Sequence, residues 1–319
     1  GVPGAKSFHL LAPGYGNIAG VALGQSNPYF VRHATSPSAT VLGDAMSKNP
    51  TFFTNWIGAN DVLAYATNGG AQANGVTPAV DQTGNMDVTT YGSNDITDPS
   101  AFAFTYNLII NGGTHPSLGP ITGLTSNGAK GVVATIPSVT SIPYFTTVPY
   151  APLTAAGLGR SVLPSGTAAE QTTAGAALMN QLNAELYNNL DAVFTALGEP
   201  NRVNPLNPSK ANPLLIYDAD AADRTAQISG ALQMQGMPAG QANVIGATFG
   251  KSRQTTSADL VVLPASGIIG SVNATATGNP VHVAISAVNT GVSYPMENKW
   301  VLTDNEKAKV ATATAAYNS

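Results

Sequence analysis

Two short stretches combine residue types that suit acyl chemistry. Gly58-Ala59-Asn60-Asp61 closes an apolar, aromatic run, Thr51-Phe52-Phe53-Thr54-Asn55-Trp56-Ile57. An apolar run that stops abruptly at Gly-x-Asn-Asp reads as a buried strand whose carboxyl end delivers a polar side chain into a crevice. Ligands of open α/β sheets collect at that end. A carboxamide there is suited to donating a hydrogen bond to a developing oxyanion. Near the start, Val2-Pro3-Gly4-Ala5-Lys6 offers a second donor, the backbone N–H of Gly4.

The elements that must hold these donors follow a βαβ order. Thr51–Ile57 is the first expected strand. A long excursion and the apolar segment Phe102–Ile110 lead to the β-branched run Gly131-Val132-Val133-Ala134-Thr135-Ile136, bounded by Pro137, the second expected strand. That order predicts a parallel sheet with helices on its faces. Ser7–Leu11 and Pro37–Met46 read as helices. Residues 65–99, rich in Gly, Thr, Asn and Asp, read as a long binding or lid loop. From 141 to 298 the alternation breaks down. Leu178, Leu182, Leu186, Leu190, Val193 and Leu197 mark one helix whose stripe reads as core packing. Leu214–Tyr217, Leu260–Leu263 and Val281–Ile285 read as short strands. Thr303-Asp304-Asn305-Glu306 is a capping box for a helix over Lys307–Tyr317.

In this order, the Gly4 and Gly58–Asp61 stretches resemble the second and third sequence blocks of the GDSL/SGNH esterase–lipase family. Asn49-Pro50-Thr51-Phe52-Phe53 into Trp56-Ile57-Gly58 is similar to that family's run into its third block. Gly128-Ala129-Lys130-Gly131-Val132-Val133 is similar to its next strand. The resemblance covers roughly residues 1–140 and the terminal helix. It implies a three-layer α/β/α, flavodoxin-like parallel sheet formed by residues 1–140 and 299–319, with residues 141–298 as a large inserted lobe, a lid or substrate domain. It also implies a serine ester hydrolase that needs no cofactor. Carried over, Gly4 and Asn60 are the oxyanion donors, while Gly58 and Asp61 are structural, Asp61 holding its turn through backbone hydrogen bonds.

Two blocks of the family pattern are missing. No Gly-Asp-Ser-like block is present, and no Asp-x-x-His. The residues three positions before His9, His33, His115 and His282 are Lys6, Phe30, Gly112 and Asn279. His115-Pro116-Ser117 is similar to the histidine end of the last block but lies too early. The expectation is therefore a chain inactive by itself. The nucleophile would lie before Gly1 and the Asp-His pair after Ser319, and the missing segments could act as separate partner fragments.

Composition narrows the partners. Only 9% of residues are charged and the net charge is −4, so no basic stripe is available for nucleic acid. No cysteine is present, which removes disulfides and thiolate metal sites. No apolar run reaches the length of a membrane span. Expected substrates are small esters, lipids or acylated carbohydrates, with Tyr15, Tyr65 and the 65–100 loop lining the entrance, in an exported protein. A non-catalytic glycan- or acyl-binding module on the same scaffold is the alternative. A structural or adhesion protein, suited to low charge and abundant Thr, Asn and Gly, is the third option.

Other motifs are weaker. Gly92-Ser93-Asn94-Asp95 repeats the Gly-x-Asn-Asp letters without a buried-strand flank. Asp218, Asp220 and Asp223 fail the EF-hand template and read as a solvated turn or helix start. Gly14-Tyr15-Gly16 lacks the third glycine of a dinucleotide site. Gly24-Gln25-Ser26 lacks the closing glycine of a nucleophile elbow.

Overall fold

A computed structural model describes residues 2–271 and 290–319. The expected strand Val281–Ile285 and His282 lie outside the described residues. The chain divides into two compact units, Gly1–Ala66 with Ala79–Val139 and Ala308–Ser319, and Thr67–Pro78 with Thr140–Lys307. The architecture is mixed α/β, and one of its small sheets is a parallel pair.

The first unit begins with a 3-10 turn at Ser7–Leu11. Helix α1 (Val41–Met46) starts where Thr40 accepts from Gly43 N, 2.9 Å. Strand β1 (Phe52–Asn55) follows, then α2 (Asn60–Thr67) and α3 (Pro99–Asn111). Asp98 caps α3 by accepting from Ser100 N and Ala101 N, with Pro99 in the first turn, where a missing N–H costs nothing. A small hairpin, β2 (Gly113–His115) and β3 (Gly119–Ile121), precedes β4 (Lys130–Val133). Strands β1 and β4 pair in parallel, from Phe52 opposite Lys130 to Asn55 opposite Val133. The underlying core joins Leu11, Leu42, Met46, Phe53, Leu108 and Ile109.

Two sequence expectations need correcting here. The strands are not buried on both faces: β1 alternates, with Phe53 and Asn55 inward, while Phe52 is 60% and Trp56 68% exposed. Strand β4 is exposed throughout. The core reaches the pair only through Phe53 of β1, which leaves the other face of β1 and all of β4 in solvent. Tyr65, expected to line the entrance, is instead buried within α2.

The second unit is mainly helical, where the sequence suggested small strands and turns. It contains α4 (Pro143–Thr146), α5 (Ala155–Val162), α6 (Ala168–Leu182), α7 (Asn188–Ala196), β5 (Leu215–Tyr217), α8 (Thr225–Met234), α9 (Ala239–Phe249), β6 (Ser252–Gln254), β7 (Leu260–Val261) and β8 (Val301–Leu302). A π-helical turn at Asn183–Tyr187 joins α6 to α7. The leucine stripe runs through this junction. Leu182, Leu186 and Leu190 are buried, with Met179, Tyr187 and Phe194 completing the face. Strands β5 and β6 pair antiparallel, as do β7 and β8. Helix α10 (Asp304–Tyr317) starts in this unit and ends in the first. Its capping box forms as expected: Thr303 N donates to Glu306 Oε2 (2.8 Å) and Glu306 N to Thr303 Oγ1 (3.4 Å). No helix among the described residues is long and apolar enough to cross a membrane.

Candidate functional site

The Gly4 turn is built from its sequence. Ala5 N donates to Val2 O at 3.2 Å, Pro3 takes the first central position and Gly4 the second, at φ +78°. This is the signature of a type II turn, which fixes Pro at one centre and needs glycine at the other. A side chain on Gly4 would meet nothing within 4 Å, so its Cα faces open space.

Asn60 opens helix α2. Two residues before it, Gly58 sits at φ +121°. A Cβ there would lie 2.4 Å from Ile136 Cδ1 and 3.0 Å from the Phe102 ring. Only glycine satisfies both the backbone and the contact. The glycine of Gly-x-Asn-Asp thus lets the chain turn sharply from β1 into α2 with Asn60 at the first helical position.

The two segments meet. Asn60 Nδ2 donates to the carbonyl oxygen of Ala5, the residue after Gly4, at 2.9 Å. A carboxamide carries two N–H donors, and this bond uses one of them. A second pair beside it is also tied. Asp61 accepts from Ser7 N at 2.8 Å and from Ser7 Oγ at 2.7 Å. Asp61 is fully buried, and burial raises its carboxyl pKa against the lowering effect of the Ser7 bonds and the Lys6 charge. Asp61 N donates to Gly58 O within the turn at 3.0 Å, and its side chain in addition clamps together two segments 54 residues apart.

Lys6 and Ser7 were missed in the sequence. Lys6 is buried and donates Nζ to Asp95 O at 2.7 Å. Burial lowers its pKa, and the Asp61 and Asp95 charges oppose that shift. The available signal was a lysine set directly before Ser7-Phe8-His9-Leu10-Leu11, an otherwise uncharged, largely apolar stretch. His9 accepts from Lys6 N through Nδ1, 3.1 Å, which places any proton of the neutral ring on Nε2. Burial, followed by the Lys6 charge, holds its pKa down at about 4. The ring stacks on Tyr15 with centroids 4.5 Å apart.

No nucleophile with a base emerges from the nearby serines. Ser7 Oγ donates a hydrogen bond to Asp61, and Ser26 Oγ donates to Gly14 O. His115 Nδ1 accepts from the backbone of Ser117 and Leu118. Among the described residues, no cluster of three or more His, Asp or Glu could hold a metal ion. In the second Gly-x-Asn-Asp, Asp95 organises the loop, accepting from Val80 N, Gln82 Nε2 and Gly92 N. Asp218 pairs with Arg253, and Asp223 accepts from Thr225 N at the start of α8. At the end of β1, the buried Asn55 leaves Nδ2 without an acceptor.

A cleft of about 490 Å³ also lies in the first unit, against the carboxyl ends of β1 and β4. Phe102, Tyr106 and Tyr317 form its aromatic wall, with Asn107 and Thr135 among its polar groups. Phe102 stacks on Tyr317 at 4.1 Å and on Tyr106 at 5.6 Å. Asn318 fixes the floor by exchanging two hydrogen bonds with the Ile136 backbone, 2.8 and 2.9 Å.

No family model, curated protein or solved structure matches this chain.

Proposed function

We propose that the chain carries the oxyanion-stabilising part of a serine ester hydrolase of the GDSL/SGNH type. The observation that supports this reading is the junction of the two donor segments. The Asn60 carboxamide sits 2.9 Å from the carbonyl that follows Gly4, and the Asp61–Ser7 clamp holds the segments together. Gly4 N–H and the second Asn60 N–H would then donate to the oxygen that gains charge when an acyl carbon becomes tetrahedral. Donors fixed in advance stabilise that charge without reorganising at the moment of reaction.

The rest of the machinery belongs to the same proposal. A serine nucleophile and an Asp-His pair come from residues outside Gly1–Ser319, as no Gly-Asp-Ser-like or Asp-x-x-His block is present in the sequence. Serine attacks the ester carbonyl, histidine takes its proton and returns it to the leaving alcohol, and water releases the acid in a second cycle. Strands flanking the β1–β4 pair would complete a three-layer α/β/α sandwich. A strand supplied in this way would also offer an acceptor to Asn55 Nδ2. Substrates are small esters, lipids or acylated carbohydrates, and the protein is exported.

A second reading is a glycan- or acyl-binding module without turnover. The aromatic and carboxamide lining of the 490 Å³ cleft favours it, as such surfaces suit neutral ligands. One experiment separates the two. The product of the complete gene is treated with a fluorophosphonate and assayed on p-nitrophenyl acetate. The hydrolase reading predicts one labelled serine and loss of hydrolysis on labelling. Binding of ligand with neither label nor turnover selects the module.

A further inference from the structure

Among the described residues, β4 pairs with β1 alone. Lys130 N donates to Thr51 O at 3.1 Å and Ala134 N to Asn55 O at 3.0 Å. Backbone groups alternate sides along a strand, so Gly131, Val133 and Thr135 turn their N–H and C=O groups away from β1. None of those groups has a hydrogen-bond partner among the described residues, and all three residues are exposed. Free edges are ordinarily blunted by proline, by charge or by a bulge. Residues 131–135 contain no proline and no charge, and the register with β1 runs unbroken.

The cleft of about 490 Å³ lies beside this edge. Gly131 faces the core side, since a Cβ on it would meet the Phe53 ring at 2.5 Å. Val133 and Thr135 share that face by alternation, and they line the cleft with Phe102, Tyr106 and Ile110 of α3. No lining side chain carries a charge. Val133 is therefore 53% exposed although it points to the core side. The core layer behind the sheet continues past β4 as an uncharged trough. A row of N–H and C=O groups repeating at every second residue is matched by another extended strand: the main chain supplies the bonds, and a pocket beside it takes alternate side chains. A second copy pairing through its own β4 would bring Gly131, Val133 and Thr135 to the trough, side chains too small to fill it. We infer that the free edge of β4 takes a β-strand from a partner segment, uncharged and bearing a large aliphatic side chain at every second position, which fills the cleft. The inference deepens the reading in which further strands flank the β1–β4 pair, and rests on it.

Fluorescence polarisation with a labelled peptide of alternating threonine and isoleucine, closed by a lysine at each end, tests it. The peptide is expected to bind the wild-type chain and to slow amide exchange at Gly131, Val133 and Thr135. Val133→Pro removes one edge N–H at a position where an edge strand tolerates proline. It should weaken binding at least about tenfold. Ala103→Asp, which sets a charge in the cleft, should weaken it by as much. Val132→Thr, on the face away from the cleft, should bind as wild type does. Circular dichroism should be unchanged in all three variants, since each side chain is exposed. No binding, binding without protection of those amides, or equal affinity in Val133→Pro would overturn the inference. So would a dimer in size exclusion that Val133→Pro dissolves, or cellobiose that binds and excludes the peptide, as a second copy or a glycan would then be the occupant. No arm measures turnover, so failure here is distinct from failure of the hydrolase reading.

Discussion

The two units hold their most prominent charged groups in different ways, although Glu306 of the second is, like Asp61 of the first, satisfied by neutral groups. In the second, guanidinium forks meet carboxylates. Arg253 pairs with Asp218 and Asp259, while Arg202 and Arg224 share Glu199. Asp259 is then reused: it accepts from Thr256 N at 2.7 Å and from Asp304 N, at the start of α10, at 3.2 Å. In the first unit, buried Lys6 donates to a backbone carbonyl, and buried Asp61 accepts from a backbone N–H and a hydroxyl. Charges neutralised by each other fix a scaffold. Charges satisfied by neutral groups keep more of their field. His9 registers that field, since the Lys6 charge contributes to its lowered pKa.

The largest expected effect tests the scaffold half of this contrast. Arg253→Met strands two carboxylates, one fully buried, and should cost about 3–5 kcal/mol in urea unfolding. Asp61→Ala leaves Ser7 N and Oγ without their acceptor and removes the carboxylate beside buried Lys6, and should cost a comparable amount, on the order of 3 kcal/mol. A loss below about 1 kcal/mol in either variant would break the comparison on that side.

The pH dependence sharpens it, because the two units should respond with opposite sign. Glu306 lies in the α10 capping box, and burial, aided by the Asp218 and Asp220 charges, raises its pKa to about 7. The folded state prefers the protonated acid. Stability from this group is complete below the unfolded value near 4.5 and is lost as pH rises to 7, on the order of 3 kcal/mol. Glu306→Gln should flatten that slope in unfolding measured from pH 5 to 8. His9 behaves in reverse. Its folded pKa of about 4 favours the neutral ring, so its contribution is complete above the unfolded value near 6.5. That contribution is lost as pH falls toward 4, by about 2 kcal/mol. His9→Phe should remove this acid-side loss. A wild-type loss from pH 6.5 to 4 that persists in His9→Phe would assign it to other groups.

The legible parts of this molecule were those governed by short-range rules. The capping box Thr303–Glu306 and the leucine stripe through α6 and α7 were readable because each depends on spacing along one segment, and the β1-to-β4 order because each strand is marked by its own residues and a strand–helix–strand order implies parallel pairing. Helices α8 and α9 were not. Gly230, Gly240 and Gly246 interrupt them, Gly236 and Pro238 lie between them, and the helices form because they pack on each other. The one-sided burial of β1 was hidden for a related reason: how many strands flank a strand is not written in its own residues. At the candidate site, Gly58 and Asn60 stood out by motif. The Asp61–Ser7 clamp did not, because no local pattern links residues 54 apart. Lys6 showed only as a cation beside an apolar run.

The central claim is that Gly4 and Asn60 cradle charge that develops during ester cleavage. Steady-state kinetics of Asn60→Ala in the product of the complete gene, on a soluble ester, tests it most directly. The account predicts that kcat falls by about 10²–10³ while KM stays within about twofold of wild type. An unchanged kcat in the folded variant, or a loss carried by KM alone, would contradict it.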